Sequence, residues 1–269
     1  MTDAPFLSMR DVTLAFGTKI IQRDLSFDVR RGSIFAVMGG SGCGKSTVLK
    51  AMVGLLRPTH GLVRVENEDY WAATDDRRAQ IGRRFGVLFQ SAALWSALTV
   101  GENVALPLQM FTTLDSAAID RIVALKLGLV DMQSTTDLYP AELSGGMRKR
   151  AALARALALD PDVLFFDEPS AGLDPITSSR MDDLILNLRD GLGATVVIVS
   201  HELPSLFAIA DNGVFLDAAS RTAIAHGAPS ALRDTCDDPQ VQAFMRRKRA
   251  ETPIPGPTLG PIPAQESPP

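Results

Sequence analysis

The chain has 269 residues, of which 46% are hydrophobic and 22% are charged, a composition ordinary for a globular protein with a sizeable core. Its formal net charge of −4 argues against nucleic acid as a partner held by bulk positive charge. No apolar run approaches the roughly 20 residues that a membrane helix requires, and residues 1–6 lack the pattern of a signal peptide. We therefore expect a soluble, cytoplasmic protein.

Residues 7–38 alternate between apolar and polar side chains, with turns at 17–18 and 31–32. This pattern predicts antiparallel strands that lead into a buried strand at 34–38. Phe16 ends one of the predicted strands, and its side chain could belong either to the core or to a functional site.

A glycine-rich segment follows the strand at 34–38 and precedes apolar residues at helical spacing. Strand, glycine-rich turn and helix are the context of a phosphate-binding loop, because loop N–H groups and the helix N-terminus both attract an anion. Lys45 would reach the β- and γ-phosphates of a nucleotide, and the Ser46 hydroxyl would bind Mg²⁺. The predicted nucleotide-binding residues are Gly39, Gly40, Ser41, Gly42, Cys43, Gly44, Lys45, Ser46 and Thr47.

The two cysteines, Cys43 and Cys236, form neither a disulfide framework nor a metal-ligand spacing. Because Cys43 lies at a predicted helix N-terminus, we expect the pKa of its thiol to be lowered. Cys43 is therefore either a redox-sensitive residue or a simple part of the loop.

Residues 91–160 have a helical pattern, which predicts an inserted helical subdomain. The preceding strand ends at Gln90, which could cap a turn or reach a metal ion or an attacking water. The last predicted helix of this segment, at about 146–159, carries several basic residues, and solvation is the simplest interpretation for most of them. These basic residues are Arg148, Lys149, Arg150 and Arg155.

Two carboxylates, Asp167 and Glu168, follow the apolar run 163–166. An unbroken apolar run indicates a strand buried on both faces, as in a parallel sheet, and ligands bind at the carboxyl ends of such strands. We therefore interpret the two acids as catalytic rather than as a surface turn. A second apolar run, 195–200, ends on His201 in the same way.

Pro175 follows Asp174, which predicts that Asp174 is the N-cap of a helix. Residues 211–227 predict a last pair of strands. Residues 241–245 indicate one more short helix, after which prolines recur and exclude helix or sheet. We predict one domain over 1–240 and a C-terminal extension over 241–269, formed by a short helix and an extended proline-rich tail.

The segment Ser144-Gly145-Gly146 opens a helix and is a second candidate anion site. Together with the phosphate loop, Gln90, Asp167-Glu168 and His201, in that order over residues 7–227, it resembles the ATP-binding-cassette (ABC) ATPases. The resemblance implies an α/β fold: a mostly parallel P-loop sheet, an N-terminal antiparallel β subdomain and an inserted α-helical subdomain. A kinase or a GTPase would not explain Ser144-Gly145-Gly146 together with His201.

The same resemblance implies roles in ATP hydrolysis. Ser46, Gln90 and Asp167 would hold Mg²⁺, the last of them through a water. Glu168 would orient and deprotonate the attacking water, with His201 bonded to the γ-phosphate and to Glu168, and Gln90 would take part in catalysis.

The resemblance also implies how nucleotide is held between two chains. Phe16 would stack on the adenine. In a head-to-tail dimer of two copies, Ser144, Gly145 and Gly146 would contact the ATP bound by the partner, and Asp174 would lie in a dimer-interface loop. Met147 departs from the glutamine that most relatives carry, at a position that is not the chief phosphate contact.

Finer features, in 89–95, 143–156 and 174–177, resemble the ATPases of MCE-type (Mla-like) phospholipid transporters of Gram-negative envelopes. This resemblance implies an integral membrane permease, a periplasmic MCE lipid-binding protein and a STAS-domain regulator as partners. It places the chain at the cytoplasmic face of the inner membrane, held there by the permease. The alternatives are the ATPase of another importer or exporter (of an amino acid, ion or drug) and a soluble ABC protein without a transport role.

Overall fold

Ten strands form two sheets in the computed structural model, which describes residues 4–246. The strands are β1 (Leu7–Phe16), β2 (Lys19–Val29), β3 (Ile34–Gly39), β4 (His60–Val65), β5 (Glu68–Asp69), β6 (Phe85–Leu88), β7 (Val163–Asp167), β8 (Thr195–Val199), β9 (Asn212–Leu216) and β10 (Ala223–His226). The first sheet is antiparallel, in the order β2-β1-β4-β5. The second has the order β10-β9-β3-β8-β7-β6, and β10 alone among its strands runs antiparallel to its neighbour. The predicted fold class is therefore confirmed.

Helices connect the strands and cover the second sheet. They are α1 (Lys45–Met52), α2 (Asp75–Gly82), α3 (Val100–Phe111), α4 (Ser116–Leu129), α5 (Gly145–Ala156), α6 (Pro175–Leu192), α7 (Leu203–Ile209), α8 (Pro229–Thr235) and α9 (Pro239–Met245). The segment 91–160 holds α3, α4, α5 and two short 3₁₀ turns. Its status as a separate subdomain stays a prediction, as does the division at residue 240.

The core lies on both faces of the second sheet, because β3, β7 and β8 are buried along their whole length. Successive side chains of a strand point to opposite faces. On one face, Met38, Phe166 and Ile198 belong to a cluster shared with the helices that follow β6. On the other face, Val37 and Phe165 belong to a cluster shared with α1 and the first sheet. Because both faces of these strands are buried, nearly all of their side chains are apolar.

The loops that precede α5 and α6 end at capped helix N-termini. Ser144 caps α5 by accepting a hydrogen bond from the Met147 N–H at 3.2 Å. Asp174 caps α6 by accepting from the Ile176 and Thr177 N–H groups, each at 3.1 Å, as predicted from Pro175. These caps fix where each loop stops and so fix the position of its residues.

Among residues 4–246, no helix is both long and apolar enough to cross a membrane. The predicted short helix is α9, whereas the predicted proline-rich tail lies outside the described residues.

Candidate nucleotide-binding and hydrolysis site

Parallel strands bring the predicted catalytic residues to one edge of the second sheet. The glycine-rich loop follows β3, Asp167 ends β7, and His201 comes two residues after β8. Because β3, β8 and β7 are adjacent and parallel, their carboxyl ends meet at one cleft of about 930 Å³, a volume suited to a nucleotide. The cleft is lined by Ile21, Gly39, Gly40, Ser41, Gly42, Gly44, Lys45, Ser46, Thr47, Gln90, Glu168, His201, Leu203, Ala243 and Phe244.

The glycine-rich loop has a backbone that only glycine fits at two points. Gly39 has φ +144°, and a Cβ there would strike the Leu216 carbonyl oxygen. Gly44 has φ +98°, and a Cβ would lie 2.7 Å from the Ile21 side chain. The tight loop places the N-terminus of α1 beside the cleft, where loop N–H groups and the helix dipole favour an anion.

Lys45, the first residue of α1, is buried and its side chain folds back over the loop. Its ammonium group donates to the Gly39 and Gly40 carbonyl oxygens at 2.9 and 3.0 Å. The positive charge is thereby held beside the glycine-rich loop, where the sequence predicts the β- and γ-phosphates of a nucleotide.

Ser46, which lines the cleft, contacts Asp167, although 121 positions separate them in the chain. The Ser46 hydroxyl donates to Asp167 Oδ1 at 3.2 Å. Burial raises the pKa of the Asp167 carboxyl, and the bond from Ser46 opposes that shift. A hydroxyl, a carboxylate and the nearby Gln90 amide are hard oxygen donors of the kind that suit Mg²⁺. Within residues 4–246 no group of three or more His, Cys, Asp or Glu residues could hold a metal ion.

Glu168 and His201 form the second pair at the cleft. His201 Nδ1 lies 2.8 Å from Glu168 Oε1. The other carboxylate oxygen, Oε2, is buried and has no hydrogen-bond donor among the described residues. Glu168 is thus held by His201 through one oxygen, while the other oxygen keeps an unused acceptor site, so its role as general base stays a prediction.

The backbone of Glu168 is itself unusual. Its φ of +52° lies in the left-handed region, which is costly for a residue with a side chain. The Glu168 N–H donates to the Val199 carbonyl oxygen at 2.8 Å, which joins the turn after β7 to β8, the strand leading to His201. Strained backbone at this turn fixes the direction of the carboxylate.

Gln90 is exposed and lies two residues after β6, beside a loop that Arg155 of helix α5 holds in place. Ala92 and Ala93 both have positive φ, and the Arg155 guanidinium donates to their carbonyl oxygens at 3.2 and 2.7 Å. Burial lowers the pKa of Arg155. Solvation is therefore the wrong interpretation for Arg155, and also for Lys149, which is buried.

The segment 144–146 lies outside this cleft. Ser144, Gly145 and Gly146 line a separate cleft of about 240 Å³ with Asp174, and the two clefts share no lining residue. The Thr177 hydroxyl donates to Asp174 Oδ2 at 2.6 Å, and this bond is the main cause that lowers the pKa of Asp174. Within one chain, therefore, the second candidate anion site does not line the cleft of the phosphate loop.

Two predictions about single residues are settled in part. Phe16 ends β1 and is 56% exposed, so it is not a core residue, and its stacking on adenine stays a prediction. Cys43 is buried, and burial raises the pKa of its thiol although the Lys45 charge and backbone hydrogen bonds oppose this. The prediction of a lowered pKa was therefore wrong, since desolvation outweighs the helix N-terminus. A raised pKa disfavours the redox-sensitive alternative.

Sequence reasoning also missed part of the cleft wall. Ala243 and Phe244 of α9 line the cleft, and Phe244 packs edge-on against Phe215 with ring centroids 5.0 Å apart. The apolar spacing in 241–245 signalled a helix, but the surface on which that helix packs is a tertiary property.

Comparison with known proteins agrees with this geometry. The family model described as "ABC transporter" matches residues 22–171. The intermembrane phospholipid transport system ATP-binding protein MlaF of Escherichia coli K12 is 41% identical over 242 residues, which cover 90% of this chain and 89% of MlaF. MlaF of Haemophilus influenzae is 37% identical, covering 89% and 90%. The probable ribonucleotide transport ATP-binding protein mkl of Mycobacterium leprae is 35% identical, covering 90% and 69%.

Solved structures show the same architecture. CbiO1 of Clostridium perfringens, part of the ABC transporter complex cbiONQ, superposes with a TM-score of 0.77 at 26% identity, covering 85% of this chain and 90% of cbiO1. The ATP-binding cassette MJ0796, in a dimeric post-hydrolysis state with ADP and Pi, gives 0.74 at 28% identity, covering 82% and 97%. The chain thus belongs to the ABC transporter family and is an ATP-binding, ATP-hydrolysing subunit.

Proposed function

We propose that the chain supplies ATP hydrolysis to a system that moves phospholipids between the inner and outer membranes of a Gram-negative envelope. The observation that carries this proposal is the 41% identity to MlaF of Escherichia coli, which extends over 90% of this chain and 89% of MlaF. A match of that extent covers the helices around the nucleotide cleft as well as the cleft itself.

Hydrolysis in this site is chiefly positioning and charge stabilisation. Lys45 and the loop N–H groups bind the β- and γ-phosphates. Glu168 accepts the proton of the attacking water, and His201 holds the carboxylate and contacts the γ-phosphate. Ser46, Gln90 and Asp167 would hold Mg²⁺, which when bound neutralises charge on the phosphate oxygens.

Two copies of the chain are needed for a complete site. The cleft of Ser144, Gly145 and Gly146 is separate from the cleft of the phosphate loop, so one chain does not close both on one nucleotide. A two-fold, head-to-tail arrangement completes two sites at once, with Asp174 near the interface. The dimeric structures of MJ0796 support such an assembly.

In this proposal, an integral membrane permease holds the chain at the membrane. A groove of about 480 Å³ between α2, β6, α3 and α5 is lined mainly by apolar side chains, including Phe85, Val87 and Phe111. Arg155, which holds the loop after Gln90, also lines it, so a helix docked there would contact the loop that leads to the cleft. The chain would then lie at the cytoplasmic face of the inner membrane, with an MCE lipid-binding protein and a STAS-domain regulator as further partners.

The test is purification of the tagged full-length chain from detergent-solubilised membranes, followed by identification of its proteins and lipids by mass spectrometry. We expect a permease, an MCE protein and bound phospholipid. The 35% identity to mkl, named as a probable ribonucleotide transport protein, favours a second candidate, the ATPase of another transporter. Recovery of a permease without an MCE protein or phospholipid would support that second candidate.

A further inference from the structure

Lys149 is a buried amine that the proposed mechanism does not use. It lies on α5, five residues after Ser144, and is 6% exposed. Its ammonium group donates to the carbonyl oxygens of Glu168 at 3.1 Å and Ala171 at 2.6 Å. Both acceptors belong to the turn that follows β7, so α5 is bonded directly to the backbone of the proposed general base.

This turn needs an external support. Glu168 has a left-handed backbone that is unfavourable for a residue with a side chain, and such a conformation persists only where the surroundings fix it. The described bonds that fix it are the Glu168 N–H to Val199, the Ala171 N–H to Glu168 and the two bonds from Lys149. Because side-chain direction follows from the backbone, the bonds that hold the carbonyl also aim the carboxylate at His201.

The same helix carries the segment that lies outside the cleft. Ser144 is the N-cap of α5, and Lys149 follows at about 1.5 Å of rise per residue, within two helical turns. A rigid helix therefore links the contact proposed for the partner's nucleotide to the general base of its own chain.

We propose that Lys149 is a positioning residue for Glu168, through which helix α5 sets the carboxylate when Ser144, Gly145 and Gly146 close on the partner's ATP. The inference rests on the roles proposed for Glu168 and for that segment. Burial lowers the pKa of Lys149, as expected for an amine placed for its hydrogen bonds rather than for solvation.

The test compares steady-state ATP hydrolysis by the full-length chain and its Lys149→Met variant, which keeps the length of the side chain and removes the donor. We expect kcat to fall by about 10- to 100-fold, the effect of misplacing a catalytic group by about 1 Å. The KM for ATP and ATP-driven dimerisation should stay at parent values, because the phosphate loop and Ser144 are unchanged. A merely structural role would lower kcat, raise the KM for ATP and weaken dimerisation.

Three further variants complete the test. Lys149→Arg keeps donors for both carbonyl oxygens and should recover most of the rate. Arg148→Met is the matched control, since Arg148 is exposed on the same helix, and it should keep the parent rate. If Lys149→Met does not fold, Lys149→Gln replaces it; its donor is one bond shorter and does not reach both carbonyls, so a partial loss is expected.

A double variant with Glu168→Gln separates this inference from the proposed function. If Lys149 acts through Glu168, adding Lys149→Met to Glu168→Gln should cause little further loss. An equal proportional loss in both backgrounds, or a parent rate in folded Lys149→Met, would overturn the inference. Retained hydrolysis in Glu168→Gln alone would instead overturn the proposed base, whatever Lys149 does.

Discussion

Replacement of Glu168 by glutamine separates the chemical step from nucleotide binding. The substitution keeps the size of the side chain and an oxygen for His201, whose Nδ1 lies 2.8 Å from Glu168 Oε1. It removes the negative charge and turns one carboxylate oxygen into an amide nitrogen that does not accept a proton. Oε2 accepts no hydrogen bond from the described residues, so replacing this oxygen with an amide nitrogen breaks none of the described hydrogen bonds.

The magnitude follows from the role. Loss of a general base lowers a rate by about 10²- to 10⁴-fold, which corresponds to about 3–6 kcal/mol at roughly 1.4 kcal/mol per tenfold change. The Kd for ATP should stay at the parent value, because Lys45 and the glycine-rich loop are unchanged. ATP-bound dimers should therefore accumulate in Glu168→Gln.

Phosphate release at saturating ATP measures the rate, and light scattering with ATP measures the dimer. Glu68→Gln is a matched control, since Glu68 lies on β5 of the first sheet and pairs with Arg77 of α2, and it should leave the rate unchanged. Retained turnover in Glu168→Gln would refute the role of this carboxylate. Loss of ATP binding along with turnover would show that it holds the nucleotide instead.

Three further predictions concern other parts of the site. Ser144→Arg should abolish turnover while the isolated chain still binds ATP in a fluorescence titration; loss of binding would contradict the contact in trans. Burial raises the pKa of Asp167, so its ionised form costs the folded protein stability above that pKa, and Asp167→Asn should raise the melting temperature at neutral pH while it abolishes hydrolysis. The gain should fade as the pH falls through the raised pKa towards 3.8, and a lower melting temperature at neutral pH would contradict the sign. A thiol reagent should label half-buried Cys236 before Cys43, which should react only after unfolding; equal rates would contradict the burial of Cys43.

Sequence alone predicted the parts of the site that depend on local pattern. The runs 34–38, 163–166 and 196–199 are apolar without interruption because their strands are buried on both faces, which identified the parallel sheet. Loops at the ends of such strands converge, and the structure does bring the glycine-rich loop, Glu168 and His201 to one cleft. Asp174 and Pro175 mark a helix start by their own chemistry.

What the sequence did not predict depends on tertiary packing. The helices α7 and α8, with 7 residues each, were not predicted from the sequence. Lys149 stands among basic and alanine residues and resembles a solvated side chain, yet the turn after β7 buries it. At Cys43 the helix N-terminus is local, whereas the desolvation that raises the thiol pKa comes from packing with the first sheet and α1.

The claim that hydrolysis needs a loop from each of two chains is tested most directly by mixing two inactive variants. The Ser144→Arg chain keeps its phosphate loop and Glu168 intact, and the Glu168→Gln chain keeps its segment 144–146 intact. A mixed head-to-tail dimer therefore holds one complete site. We expect an equal mixture to recover about a quarter of the parent rate, since half of the dimers are mixed and each has one of two sites intact. Mixed dimers that form, as shown by pull-down on a tag carried by one variant, but hydrolyse no ATP would contradict the account.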